Sequence, residues 1–306
     1  MTSAHSPLMP SGEALRATAP LCSVIVPVYD HWTLVPGLLD SLAVQTLPQA
    51  DFEVILVDNG STHFFPPSTL PNNVHIVHGE SPGSYAARNE GVRHAKGKWL
   101  VFTDADCRAC PNWLASILEK TKEAGKPELI AGGIQMYTAS SQPNAYEIYD
   151  MIRGIPQAAY VRRGYAATAN LMVPKTILAK LGGFDAHRYS GGDADLCKRA
   201  RARGYALRYA PDAMVYHPAR RTWDELATKA RRIKGGQLRC GAPWTRFYWA
   251  IRTLLPPFPL YYRFATSTGY PVRFRAVAVA IQTRLWGHEF LEMGRLVLAA
   301  GARERR

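Results

Sequence analysis

Short runs of aliphatic residues recur through the first third of the chain, and each one stops at an acidic side chain. Residues 23–28 lead to Tyr29 and Asp30, residues 54–58 end on Asp58, and residues 99–103 run into Asp104 and Asp106. An unbroken apolar run of this length reads as a strand buried on both faces, since a strand with one wet face alternates apolar and polar residues. Between the first two runs Leu34, Leu38, Leu39 and Leu42 recur at helical spacing; residues 74–78 read as a third strand and residues 85–95 as a second helix. Strand and helix in alternation predict an α/β chain with a Rossmann-like, mostly parallel central sheet and flanking helices. Ligands of such sheets bind outside the carboxyl ends of the strands, so these acidic residues should converge on one crevice.

Further along, the pattern predicts a helix over 113–124, a strand over 130–136, a helical or irregular piece over 146–152 and a strand over 167–173. A turn at 182–185, a helix over 194–203 and a short strand over 205–209 follow. Then the character changes. Trp223, Leu226, Ala227, Ala230 and Ile233 share a helical face with Lys229, Arg231, Arg232 and Lys234 turned away, which predicts a basic amphipathic helix. An aromatic and basic stretch over 244–263 is broken by Pro256, Pro257 and Pro259, and 274–300 reads as a helix.

Charge divides the same way. Of 37 Lys and Arg against 24 Asp and Glu in 306 residues, positions 1–216 hold 20 and 19, whereas positions 217–306 hold 17 and 5, a net of +12. A cationic third with Trp, Tyr and Phe at intervals suits an anionic membrane surface. With 47% hydrophobic residues the chain is too apolar for intrinsic disorder. No run approaches the ~20 apolar residues of a bilayer-spanning helix; the best, 276–281, is bracketed by Arg275 and Arg284. Residues 1–20 read as a disordered start and lack the basic-then-apolar pattern of a secretory signal. Five scattered cysteines argue against a disulfide framework. A cytoplasmic protein, at most peripheral on the inner face of the membrane, is the expectation.

Asp104-Ala-Asp106 places two carboxylates at a strand end, where a divalent cation can be held between protein and a diphosphate. It sits in one block with Gly83-Ser-Tyr-Ala-Ala-Arg-Asn-Glu-Gly91. In order along the chain, Val24-Ile-Val-Pro-Val-Tyr29, Val57-Asp-Asn-Gly-Ser-Thr62, Ala87-Arg-Asn-Glu-Gly91, the D-x-D at Asp104 and Asp106, Gly182-Gly-Phe-Asp185, and Gly192-Asp-Ala-Asp-Leu196 with Arg199 resemble the motifs of the family 2 glycosyltransferases, which have the GT-A fold. The resemblance runs from about Ser23 to about His217.

The resemblance implies an enzyme that moves a sugar, with inversion, from a nucleotide diphosphate donor to an acceptor hydroxyl, in polysaccharide, glycolipid or cell-envelope glycan synthesis, with a divalent cation, Mn or Mg, as cofactor. UDP is the expected carrier, with GDP and dTDP behind it; the acceptor would be a glycan or lipid-linked. It assigns Pro27, Tyr29, Asp58, Arg88 and Asp104 to the donor nucleotide, with Asp58 reading the base and Asp104 the ribose or a metal-bound water. Asp106 and His217 would hold the metal, Asp193 would be the general base, and Asn170, Gly183, Asp185 and Asp195 would face the acceptor. The implied organisation is a GT-A domain over 21–217, divided into a nucleotide-binding half (21–110) and an acceptor-side half (111–217), followed by a basic amphipathic helical region over 218–306.

The chemistry asks for the same residue types. An in-line displacement needs a carboxylate within reach of the attacking hydroxyl and positive charge opposite, where the diphosphate departs. At the start of a helix, backbone N–H groups would keep Asp193 ionised at neutral pH. The commoner family pattern has a Glu before the catalytic Asp; here Gly192 stands there, which leaves Asp195 as a rival base, and capping the helix is the other role open to either. His217 is either a third metal or diphosphate ligand or a polar loop residue, Arg88 pairs either a phosphate or a surface carboxylate, and Arg220 and Arg221 either clamp the diphosphate or begin the membrane-facing block.

Other patterns fall away. Residues 91–98 approach a P-loop, but the spacing is one residue too long and Trp99 replaces its Ser or Thr. Cys107 and Cys110 lack the second pair of a zinc site, Asn59-Gly-Ser61 reads as a plain turn, and no G-x-G-x-x-G follows a strand. A sugar nucleotidyltransferase would need a Gly-rich basic first loop where Pro27-Val-Tyr-Asp30 stands. A nucleic-acid binding protein would use the basic third but leave the acidic motifs unexplained, so no nucleic acid is expected as a partner.

Overall fold

The computed structural model describes residues 19–298 apart from 124, 126, 189 and 241. The expected disordered start, as far as residue 18, and the expected helix ends at 124 and 300 lie outside the described residues.

The first half alternates as its hydrophobic pattern requires: β1 (Cys22–Val28), α1 (Val35–Ala43), β2 (Phe52–Asp58), β3 (Val74–His78), α2 (Ser84–His94) and β4 (Trp99–Phe102). After it come β5 (Arg108–Ala109), α3 (Trp113–Lys122), β6 (Leu129–Tyr137), α4 (Ala145–Arg153), α5 (Gln157–Arg162), β7 (Leu171–Pro174), α6 (Lys175–Leu181), α7 (Gly192–Ala202) and β8 (Leu207–Pro218). One sheet results, in the order β3-β2-β1-β4-β7-β6-β8-β5. β3, β2, β1 and β4 run parallel, β7 is antiparallel to both its neighbours, β6 and β8 are parallel, and β5 closes the edge antiparallel to β8.

The unbroken apolar runs arise because both faces of the sheet are covered. Along β1, Val24, Val26 and Val28 pack under α1 and α3, while Ile25 packs with α2, α6 and α7; Val54 and Leu56 of β2 take the first face, Ile55 and Val57 the second. Parallel register then aligns the acidic strand ends, with Val28 opposite Asp58 and Ile25 opposite Phe102, two residues before Asp104. The crevice therefore opens where the pattern placed it.

Besides the earlier start of α7 and the unanticipated β5, α5 and α6, four segments differ from the sequence expectation. α1 begins one residue late: Leu34 is exposed and Val35 takes the inward position. Residues 168–170 form a 3-10 turn, so β7 begins only at Leu171. The strand expected to stop at 209 continues to Pro218 as β8; its register against β6 jumps from Gly132↔Ala210 to Gly133↔Met214, so residues 211–213 bulge out and break the local pattern. His217 consequently lies inside a strand rather than past one.

The last third is helical: α8 (Trp223–Arg239), α9 (Pro243–Leu254), α10 (Phe258–Ala265) and α11 (Val272–Leu298). Thr222 and Glu225 form a capping box that starts α8. Leu226 and Ala230 of α8, Phe264 of α10, and Ala278 and Leu285 of α11 pack on Ile148, Tyr149 and Ile152 of α4. The expected segregation of charge on α8 is the fourth difference. Lys234 is buried, donating to Thr253 Oγ1 at 3.0 Å and pairing with Glu289 at 3.2 Å, and Lys229 also turns inward, toward Asp150.

Candidate active site

The donor side is built at the ends of β1 and β2. Asp58 is buried, accepts from Trp32 Nε1 at 3.1 Å and from the Ser61 backbone N–H at 3.4 Å, and lies 3.6 Å from His78 Nδ1. Burial works to raise its pKa, but hydrogen bonds from Ser61 and Trp32 outweigh it, and the carboxyl ends below its ordinary value. The facing turn is tied back by Asp30, which adopts a left-handed φ of 52° and accepts from His63 N at 2.9 Å and Thr62 Oγ1 at 3.0 Å. Pro27 and Tyr29 are half-buried at the end of β1, Pro27 in register with Val57. Trp32 had no sequence signal and Ser61 only its place in the turn after Asp58; their role depends on two loops meeting.

At the end of β4, Asp104, Asp106 and Cys107 meet His217 from β8, with one ligand atom from each lying within 4.8 Å of the others. His217 Nε2 is 3.8 Å from Asp106 Oδ2. Its Nδ1 lies 2.9 Å from Pro218 O, and because a carbonyl only accepts, the neutral ring carries its proton on Nδ1 and leaves Nε2 as a lone pair aimed at the carboxylates. Burial, then Asp106 and Asp104, push the Cys107 thiol well above its usual pKa, so it stays protonated. Two carboxylates and an imidazole offer oxygen and nitrogen ligands that fit a divalent cation, with the Cys107 sulfur beside them.

Asn170, fully buried, holds this end of the sheet together. It accepts from Trp113 Nε1 at 2.9 Å and donates to Gly133 O and Ala213 O at 2.8 Å each, clamping the bulge that carries β8 toward His217. Its polar atoms are used inside the fold rather than open to an acceptor.

Opposite stands Asp193 at the start of α7. Tyr85 Oη lies 3.4 Å from its Oδ1, and Ala194 N donates at 2.9 Å. Burial pushes the Asp193 carboxyl above its ordinary value, against the lowering influence of the Ala194 N–H and of Arg88. The helix start alone thus does not set its ionisation. Arg88, 4% exposed, donates from Nη2 to Asp104 Oδ1 at 2.6 Å, while its buried Nε has no partner. The guanidinium thus holds Asp104 directly and acts on Asp193 through its charge.

Asp195 is spent elsewhere. It pairs with Arg188 at 3.0 Å and Arg199 at 2.8 Å, and Arg199 donates on to Leu181 O at 2.6 Å and Gly183 O at 2.8 Å. Gly182 and Gly183 both take a φ of 76°, ending α6, and Asp185 pairs with Arg188 at 3.0 Å. Gly183, Asp185 and Asp195 thus form one brace that holds the start of α7, and with it Asp193.

This sheet is that of the GT-A glycosyltransferases. The solved mannosyltransferase PcManGT from Pyrobaculum calidifontis matches with a TM-score of 0.58 and 18% identity over 94% of this chain and 89% of its own. The Staphylococcus aureus protein TarS 1-349 matches with a TM-score of 0.50 and 17% identity over 89% of each chain. Sequence comparison is narrower: the description "Glycosyl transferase family 2" matches residues 23–164. Glycosyltransferase AglE of Haloferax volcanii is 34% identical over 232 residues, 74% of this chain and 75% of its own length. The pre-mycofactocin glycosyltransferase of Mycobacterium tuberculosis is 29% identical over 242 residues, and this chain spans only 48% of it. The chain belongs to glycosyl transferase family 2 and is a glycosyltransferase.

Proposed function

We propose that this glycosyltransferase moves a sugar, with inversion, from a nucleoside diphosphate carrier to a hydroxyl of a lipid-linked or growing glycan acceptor. The observation that carries the reading is the meeting of Asp104, Asp106 and His217 within 4.8 Å at the strand ends, with Asp193 on the facing helix. PcManGT was solved with GDP-Man and Mn2+, and TarS with UDP-GlcNAc, which supports UDP and GDP as the carriers to try first. Carboxylate with imidazole favours Mn over Mg, because Mg retains an oxygen shell more strictly. A divalent cation bound there would supply positive charge against the departing diphosphate.

The chain's own residues do the rest. Asp58, fixed by Trp32 and Ser61, reads the base; Pro27 and Tyr29 wall the same pocket. Arg88 holds Asp104 in place, and Asp193 Oδ1 or Oδ2 takes the proton of the attacking hydroxyl. Residues 21–110 serve the donor and 111–217 the acceptor in this reading. Isothermal titration of UDP, GDP and dTDP, with and without Mn, on wild type and Asp106→Ala tests it. One nucleotide should bind only with Mn, and only to wild type; Mn-independent binding that survives in Asp106→Ala would overturn it.

The acceptor reading is supported by the last third. No helix among the described residues is long and apolar enough to cross a membrane. Trp244, Phe247, Ile251, Leu254, Phe258 and Tyr262 are nonetheless exposed along α9 and α10, with Trp244 and Tyr262 each 73% exposed. Arg239, Arg246, Arg252 and Arg263 flank this aromatic stripe. Such a face suits insertion among anionic lipid headgroups.

A further inference from the structure

The loop from β2 to β3 carries Phe64-Phe65-Pro66-Pro67 beside the donor crevice. The turn before this motif is bound to the end of β1 by three hydrogen bonds. Asp30 N donates to Ser61 Oγ at 3.0 Å, and the Asp30 carboxylate accepts from Thr62 Oγ1 at 3.0 Å and His63 N at 2.9 Å. Among the described residues Asp30 is the one non-glycine with a positive φ, 52°. A side-chain-bearing residue stays in that region only when its surroundings hold it there, and such positions gather at functional sites. Beyond the motif, Pro66 and Pro67 restrict the backbone. Phe64 therefore lies between a braced turn and a stiffened one.

The bracing sets the Phe64 ring beside Asp58. Phe64 meets Trp32 with centroids 4.9 Å apart and planes at 79°, and meets His78 with centroids 5.3 Å apart and planes at 52°. The same two partners reach the two oxygens of Asp58: Trp32 Nε1 lies 3.1 Å from Oδ1, and His78 Nδ1 lies 3.6 Å from Oδ2. A ring in contact with both neighbours of one carboxylate stands next to that carboxylate. Trp32 and Asp58 are buried, whereas Phe64 is 39% exposed. Exposed aromatic surface next to a buried acceptor suits a flat heterocycle, which can donate to the carboxylate from its edge and cover the ring with its face.

We propose that Phe64 is a binding residue for the donor nucleotide, its exposed ring stacking on the base whose N–H donates to Asp58. That the base lies at Asp58 rests on the reading above; the bracing and exposure of the ring do not. Every nucleobase has a π-face, so the stack supplies affinity for a base without choosing among uracil, guanine and thymine. The choice falls to the edge of the base, where hydrogen bonds are made.

Two physical terms favour this use of the ring. Covering it with a base removes apolar surface from water. The loop is also held by Asp30 and the two prolines independently of the nucleotide, so binding orders little of the chain. Phe65 supplies an internal control: it belongs to the same loop and is more exposed than Phe64, but its ring contact is with His63, at 6.4 Å, rather than with the neighbours of Asp58.

Isothermal titration with Mn of UDP, GDP and dTDP, and of ribose 5-diphosphate as the probe that lacks only the base, compares the full wild-type chain with Phe64→Ala, Phe64→Tyr and Phe65→Ala. Phe64→Ala should weaken the nucleotide that wild type binds by about five- to a hundredfold, the range for one lost base–aromatic stack, and leave ribose 5-diphosphate unchanged. Phe64→Tyr and Phe65→Ala should keep wild-type affinity for both. Unchanged nucleotide binding by Phe64→Ala would overturn the proposal, and so would tighter binding, which would mean that the ring stands in the base's own place. An equal loss for ribose 5-diphosphate, or an equal loss in Phe65→Ala, would make the effect one of loop structure and overturn it as well. Asp58→Asn separates the two readings. Full nucleotide affinity in Asp58→Asn with a loss in Phe64→Ala would remove the base from Asp58 and leave it on the ring; the reverse pattern would remove the ring alone. Binding of no nucleotide by wild type would overturn both.

Discussion

The ring of Tyr85 occupies the space that a side chain on Gly192 would need: a Cβ there would lie 2.7 Å from Tyr85 Cε2. The same tyrosine points its hydroxyl at Asp193 Oδ1, 3.4 Å away, and stacks on Phe184 at 5.8 Å. The missing acidic residue before Asp193 therefore has a steric reason in this chain. Glycine at 192 admits the aromatic ring, and the ring supplies a hydroxyl beside the carboxylate.

Gly192→Ala should consequently displace Tyr85 and shift Asp193. A misplacement near an ångström lowers turnover by on the order of 10²-fold. Nucleotide titration on the same variant should show donor affinity falling less than turnover, since Tyr85 reaches the donor side through Arg88, whose guanidinium lies 5.7 Å from the centroid of its ring; a loss of donor binding with normal turnover would contradict this.

Asp193→Asn should lower kcat by about 10²–10⁴-fold without lowering Tm. The carboxyl has a raised pKa because folding disfavours its charged form, so removing the charge at neutral pH relieves an unfavourable term. In wild type the acid limb of the pH–rate profile should lie above the ordinary aspartate range, with activity falling as pH drops through it. Tyr85→Phe should move that limb further up, because the ionised carboxylate loses a donor.

Trp32→Phe removes the indole N–H from buried Asp58 and should cost about 1–3 kcal/mol of stability. The Asp58 pKa is lowered in the fold, so its contribution is present above the unfolded value and lost as pH falls through the folded one. Urea denaturation should show wild type and variant diverging at neutral pH and converging in acid. Equal stability at neutral pH would show that Trp32 acts by packing alone.

Trp244→Glu with Phe247→Glu should abolish flotation with anionic liposomes while leaving Tm within about 1 °C, because surface changes away from packed contacts are near neutral. Both side chains are largely exposed, at 73% and 68%. Retained flotation would assign membrane attachment to the arginines alone or to another face.

Much of this architecture was legible in the residues. β3 was bounded to the residue, and β1, β2 and β4 to within two residues, because an apolar run buried on both faces leaves little choice of conformation. The meeting of Asp58, Asp104 and Asp106 at one edge followed from parallel register. The second half was harder. Residues 211–213 interrupt β8 with a bulge whose cause is Asn170, which is distant in sequence and donates to Ala213 O and Gly133 O, so local pattern ended the strand too soon. The sequence favours Asp193 as the base and keeps its neighbour Asp195 as a rival; the ion pairs of Asp195 with Arg188 and Arg199 separate their environments.

The order of strands and helices, the acidic strand ends and the cationic last third were determined by the sequence itself, since each rests on the period or charge of residues close together in the chain. Tertiary structure alone decided that Tyr85 fills the place beside Gly192, that His217 offers Nε2 to Asp106 and that Lys229 and Lys234 turn inward from a helix whose pattern points them out. Those choices depend on which distant surface covers each side chain, and burial against a partner contributed by another element outweighs the preference of a charged residue for water.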